Sequence, residues 1–185
     1  MGKAPVVTAF GMIASCVMLG LILGMLATGS TIKLGWGSTS KTVNTVALSI
    51  VPDLTGPGND SFAFSSNMQP ASVIHVSSGQ VSFTISNLDT ALNMNYSKAA
   101  TVPFTFLNET DNGMVAVHYN TGDRISLTIS HTFTIDGIGE VPLAPDTSTS
   151  FTLTLKAGTY HFYCIVPCGP GMAMPGFMQG TIIAQ

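Results

Sequence analysis

The sequence predicts an all-β sandwich tied to a membrane by one N-terminal helix, and two observations carry that reading. From residue 43 onward the chain alternates apolar and polar residues in short runs: Thr45-Val-Ala-Leu-Ser-Ile, Ser61-Phe-Ala-Phe-Ser, Gln80-Val-Ser-Phe-Thr-Ile-Ser, Asp123-Arg-Ile-Ser-Leu-Thr-Ile-Ser and Ser150-Phe-Thr-Leu-Thr-Leu. Period-two patterning rich in β-branched residues, broken by Gly, Pro and Asn-Asp turns, is the signal of a sandwich. Ahead of these runs, residues 5–27 carry no charge, and the next charge after Lys3 is Lys33. About 20 apolar residues span a bilayer as a helix, whereas the core of a signal peptide is about 7 to 15.

The N-terminal segment therefore reads as a retained anchor over residues 1–28. A cleaved signal with Ala27-Thr-Gly at the cut is the alternative, and the length of the segment counts against it. Lys3 and the free amine favour an inside N-terminus, opposed in part by Lys33 and Lys41. Trp36, the only tryptophan, stands just past the helix, where an interfacial aromatic belongs. Gly20-Leu-Ile-Leu-Gly24 offers a small-residue face to another helix, a weak motif in any apolar stretch, and Cys16 reads as a packing residue. Residues 29–42 are rich in Gly, Ser and Thr and read as a linker. Residues 43–185 form the β domain. Within it, only residues 88–100 admit a helical reading.

Composition narrows the function. Charged residues make up 8% of the chain, the net charge is −3, and six Lys and Arg cannot build the basic stripe that nucleic acid requires. An apolar content of 45% argues for an ordered fold despite the abundant Ser and Thr. A surface poor in carboxylates changes charge little as pH falls, which suits an acidic exterior; an ordinary exported β-protein is the plainer alternative. Asn59-Asp-Ser61, Asn95-Tyr-Ser97 and Asn108-Glu-Thr110 are glycosylation-type triplets and modest signs of an outside surface. No base stands near a nucleophile in a recognisable hydrolase motif.

The chemistry is concentrated at the C-terminus. In Tyr160-His-Phe-Tyr-Cys164-Ile-Val-Pro-Cys168-Gly-Pro-Gly-Met172-Ala-Met174-Pro-Gly-Phe-Met178-Gln-Gly180-Thr-Ile-Ile, two thiols four residues apart precede three methionines in a Gly/Pro loop between short apolar strands. Thiolate and thioether are soft donors and favour copper over zinc, calcium or magnesium. A disulfide, or two idle thiols with methionines filling a core, explains the same spacing equally well.

Upstream stand Ser130-His131-Thr-Phe-Thr-Ile-Asp, then Glu140-Val-Pro-Leu-Ala-Pro, the alternating run at 150–156 and a turn at Ala157-Gly158-Thr159. With the cysteine loop, this stretch resembles the C-terminal half of the cupredoxin domain in subunit II of haem-copper oxidases, which carries the binuclear copper A centre. The family pattern is a ligand His in an HxF strand, then C-x3-C-G-x2-H-x2-M and a final strand such as G-T-I-V-V. His131 stands 33 residues ahead of Cys164, about the family interval, and Cys168-Gly169 and Gly180-Thr-Ile-Ile fall in register. The resemblance covers residues 125–185 well. Residues 72–87 look more weakly like the earlier strand-turn-strand. It implies a Greek-key cupredoxin sandwich with His131, Cys164, Cys168 and a methionine as candidate copper ligands. Residues 87–120 exceed the matching connection, which implies an insertion around 90–120. Either residues 79–89 or residues 122–129 take the place before the ligand strand, and the first is preferred.

The departures matter equally. The position of the second His is Met172, and that of the family Met is Pro175. Met178 keeps the short spacing to the final strand, with Met172 and Met174 as alternatives. A binuclear pair needs two thiolate bridges and an imidazole for each metal. His161, three residues before Cys164 on one strand, should face away, and His75 and His118 lie far upstream. The binuclear centre is therefore expected to be lost, leaving an empty loop or one copper. Without copper, an oxidising exterior would let Cys164 and Cys168 pair.

The resemblance implies a single-pass subunit II of a terminal oxidase in the cell membrane, N-terminus inside and cupredoxin domain on the outer face. It would bind the polytopic subunit I, which alone holds haem, and other membrane subunits, would meet membrane quinol only indirectly, and would have no catalytic residue of its own. The degenerate site fits an archaeal quinol-oxidase-like branch, in which quinol delivers electrons directly to haem. Two other readings stay open: an anchored mononuclear copper carrier resembling sulfocyanins, and an exterior structural module whose thiols form a disulfide.

Overall fold

The computed structural model describes residues 44–185 except Thr55, Leu92, residues 111–112, Pro170, Gly171, Ala173 and Pro175. The expected anchor, the 29–42 linker, Cys16, the G-x-x-x-G stretch and Trp36 lie outside the described residues. Among the described residues no helix is long and apolar enough to cross a membrane.

Every alternating run named above becomes a strand. A six-stranded sheet orders β2 (Ser61–Phe64), β1 (Asn44–Val51), β4 (Gly79–Asn87), β11 (Thr147–Leu155), β6 (Phe104–Thr110) and β7 (Gly113–Tyr119). A five-stranded sheet orders β10 (Gly139–Leu143), β9 (His131–Ile135), β12 (Gly158–Tyr163), β13 (Gln179–Ala184) and β3 (Val73–Val76). β5 (Met94–Ala99) and β8 (Arg124–Ile129) pair as a separate ribbon. The β1–β4 and β13–β3 pairs are parallel and the other pairs antiparallel. The all-β sandwich expected from the sequence is present.

The helical reading of residues 88–100 is wrong. Tyr96 is buried between exposed Asn95 and Ser97, a period of two, and β5 pairs with β8 from Met94 opposite Ile129 to Ala99 opposite Arg124. Pairing with a neighbouring strand outweighs a weak local preference here. The strand that directly precedes β9 is the one at 122–129, not the preferred one at 79–89, which lies in the other sheet. β8 runs into β9 through Ser130, and β4 ends at Asn87, whose side chain reaches Ser130.

The core lies between the two large sheets. Val81, Phe83 and Ile85 of β4 and Phe151, Leu153 and Leu155 of β11 line one wall. Phe133 of β9 and Phe162 of β12 face them from the other. Phe133 touches Phe62, Phe83, Phe151 and Phe162, with ring centroids 5.1–5.8 Å apart. Aromatic pairs at this spacing add to the area they bury. At one end the lining turns polar. Asn87 continues the inward face of Val81, Phe83 and Ile85, and His131 that of Phe133 and Ile135.

Candidate metal centre

Strand alternation aims His131 inward. It is the first residue of β9, and its side chain shares the buried face with Phe133 and Ile135, two and four residues on. Its backbone neighbour Ser130 is fixed from two directions. Ser130 N–H donates to Leu143 O at 3.0 Å, and Asn87 Nδ2 donates to Ser130 Oγ at 2.6 Å. The imidazole is fully buried.

The two cysteines come from the loop joining β12 to β13, which the strand pair closes. Cys164 N–H donates to Met178 O at 2.9 Å, pinning one end of the loop to the other. Gly169, beside Cys168, has φ of +94°, and a Cβ there would drive into Gly58 O. Only glycine allows so close a backbone approach at that φ. At the far end a Cβ on Gly180 would meet Phe162 at 2.5 Å and the carbonyls of Ser72 and Ala71 at 2.7 and 2.8 Å. The Cys-Gly and Gly-Thr-Ile signals thus mark the two places where the loop is pressed against neighbouring chain.

These elements bring three soft or borderline donors together. His131 Nδ1 lies 3.2 Å from Cys168 Sγ and 4.0 Å from Cys164 Sγ. Both sulfurs are buried, and the three donor atoms lie within 4.8 Å of one another. The two sulfurs stand at bonding distance as a disulfide, with Cα atoms 7.0 Å apart. Thr132 serves Cys164: its N–H points at Sγ at 3.4 Å, its hydroxyl lies 3.9 Å from Sγ, and that hydroxyl accepts Ile165 N–H at 3.0 Å.

On the other edge of the ring, His131 Nε2 lies 2.8 Å from Asp89 Oδ2 and 3.8 Å from Asp60 Oδ2. Asp89 is itself held: its Oδ1 accepts Ala91 N–H at 2.8 Å, and its N–H donates to Asn87 Oδ1 at 3.2 Å. A carboxylate accepts only, so Nε2 carries the hydrogen and the Nδ1 lone pair faces the sulfurs. Burial pulls the imidazole below its usual pKa, against the opposing pull of Asp89. Burial also pushes Asp60 up to about 6, reinforced by the charge of Asp89 and opposed by a backbone hydrogen bond at Asp53.

The donor set fits one copper ion once the two thiols are reduced. Metal–sulfur and metal–nitrogen bonds of about 2.3 and 2.0 Å in tetrahedral array place N and S about 3.5 Å apart, between the two distances seen here. The sulfurs would have to separate to about 3.8 Å on the same reckoning. Buried thiolates and one imidazole suit Cu(I).

The remaining candidates divide. Met178 is fully buried beside Cys164 through its carbonyl, and Met174 is exposed. Met172, in the position of the missing histidine, lines an open pocket of about 510 Å³ with Cys164, Tyr163, His161, Asp136 and Gln179. His161 is exposed and turned to Gln179 Oε1 at 3.1 Å and Asp136 Oδ2 at 3.6 Å. His75 is exposed on β3, and His118 pairs with Thr105 at 2.9 Å. Among the described residues no second imidazole joins the sulfurs. Sequence reasoning missed Asp60, Asn87, Asp89 and Thr132. Only Thr132 had a local signal, its place beside His131; Asp89 stands 42 positions before His131, and nothing local joins them.

No protein-family model and no curated protein matches the chain. Solved structures similar to it include rusticyanin from Thiobacillus ferrooxidans, at 21% identity and a TM-score of 0.41 over 77% of this chain and 78% of that one. A copper nitrite reductase from Nitrosomonas europaea matches at 17% identity and 0.38, over 78% of this chain and 42% of that one. An oxidised amicyanin variant matches at 13% and 0.29, over 76% and 82%. Likeness at this level leaves the function to be argued from the site itself.

Proposed function

We propose that this chain is the outer-face cupredoxin domain of subunit II of a membrane-bound haem-copper terminal (quinol) oxidase, with a degenerate copper A site that holds one copper. The convergence of His131 Nδ1 with the sulfurs of Cys164 and Cys168 at the polar end of the sandwich carries this reading. Two sulfurs beside one imidazole suit the paired-thiol loop of subunit II better than a site with a single cysteine. Copper would supply one-electron chemistry. His131, Cys164 and Cys168 would hold it, Met178 or Met172 would lend a thioether, and the surrounding core would exclude water. Thr132 would steady the Cys164 thiolate through its N–H.

With one imidazole the domain does not support the delocalised binuclear pair. Electrons would then enter from quinol at the haem subunit, and this domain would cap that subunit on the outer face. The alternative of an anchored mononuclear carrier draws on the same single imidazole. Purification of the full chain from its native membrane in mild detergent separates the two. A polytopic haem protein co-purifying in fixed ratio supports the subunit reading, and a chain that purifies alone, with copper, supports the carrier.

A further inference from the structure

The side of His131 away from the sulfurs is built as carefully as the side facing them. Asp89 is almost wholly buried, and its two oxygens do different work: Oδ1 closes the turn at Ala91, and Oδ2 meets His131 Nε2 at 2.8 Å. Asn87 ties that carboxylate to the ligand strand. Its Oδ1 accepts from Asp89 N–H, while its Nδ2 donates to Ser130 Oγ at 2.6 Å and to Ala144 O at 2.8 Å. The end of β4 and the start of β9 are thereby locked through polar groups that a sandwich of this kind would not otherwise bury.

We propose that Asp89 is a positioning residue for the metal centre, fixing the tautomer and orientation of His131 so that Nδ1 is presented to the ion. The proposal rests on the one-copper reading above. Its physical basis is general: a ligating imidazole that donates its other N–H to a carboxylate is oriented by it and becomes a stronger donor, and loss of such a partner typically lowers metal affinity about 10- to 100-fold. Asp60, 3.8 Å from Nε2, lies within the same buried group but beyond hydrogen-bond reach.

Two measurements on the full-length, thiol-reduced protein in detergent test it. In the metal-free wild type, nitrogen-15 spectra of the His131 ring at neutral pH should show hydrogen on Nε2; hydrogen on Nδ1 overturns the proposal without any variant. Competition against a Cu(I) chelator of known affinity should then show Asp89→Ala binding copper about 10- to 100-fold more weakly than wild type, with unchanged circular dichroism. Equal affinity in a folded Asp89→Ala overturns it. Wild type that takes up no copper in this assay overturns the copper reading instead, while the ring spectra still decide whether Asp89 orients His131.

Discussion

At the residue scale, Asp60 shows how a charge near the centre shapes stability. Its folded pKa of about 6 lies above the ordinary value of 3.8, mainly through burial. Between those values the folded protein holds a proton that the unfolded chain gives up. This group's contribution is therefore full at low pH and is lost as pH rises toward 6 and beyond. Asp60→Asn carries no charge to bury, so it should leave the Tm of the metal-free protein nearly unchanged at pH 4 and raise it at pH 7. His131 pulls the other way in both proteins, because burial disfavours its charged form, so the trend is read from the difference between them. A Tm difference that shrinks from pH 4 to pH 7 would refute the assignment.

At the scale of elements, β9 couples core and site. His131, Phe133 and Ile135 share its inward face, so whatever seats Phe133 also aims the imidazole. Phe133 packs against rings from both sheets. Phe133→Ala should cost about 3–5 kcal/mol in chemical denaturation. It should also loosen the metal site although it touches no donor, and a loss under 1 kcal/mol would mean the two sheets do not meet there. The strands were legible because alternation is local: runs such as Gln80-Val-Ser-Phe-Thr-Ile-Ser declare both strand and buried face. The His131, Cys164 and Cys168 cluster was legible through the resemblance of the HxF strand and the C-x3-C-G loop to a family pattern; the spacing of the cysteines alone left a disulfide equally open. Asp89 and Asp60 were not, since nothing local joins them to a strand 42 and 71 residues on. Residues 88–100 misled for the opposite reason, β5 owing its form to its partner β8.

At the scale of the whole molecule, the sandwich links a group of buried polar residues at one end, where His131 and Thr132 touch the two sulfurs and Asp60, Asn87, Asp89 and Ser130 stand behind them. Such groups cost stability unless partnered, and here the partners run in a chain from Asn87 through Asp89 and His131 to the sulfurs. That arrangement holds one imidazole against two sulfurs and provides no second imidazole among the described residues. The central claim is therefore one copper per chain, bound only after the Cys164–Cys168 pair is reduced. Copper analysis with electron paramagnetic resonance on the purified protein, loaded after thiol reduction and then oxidised, tests it most directly. The expected result is one copper per chain with the signal of an isolated Cu(II) ion, and none in Cys168→Ser or in protein kept oxidised throughout. Two coppers per chain with a mixed-valence signal shared between them would contradict it.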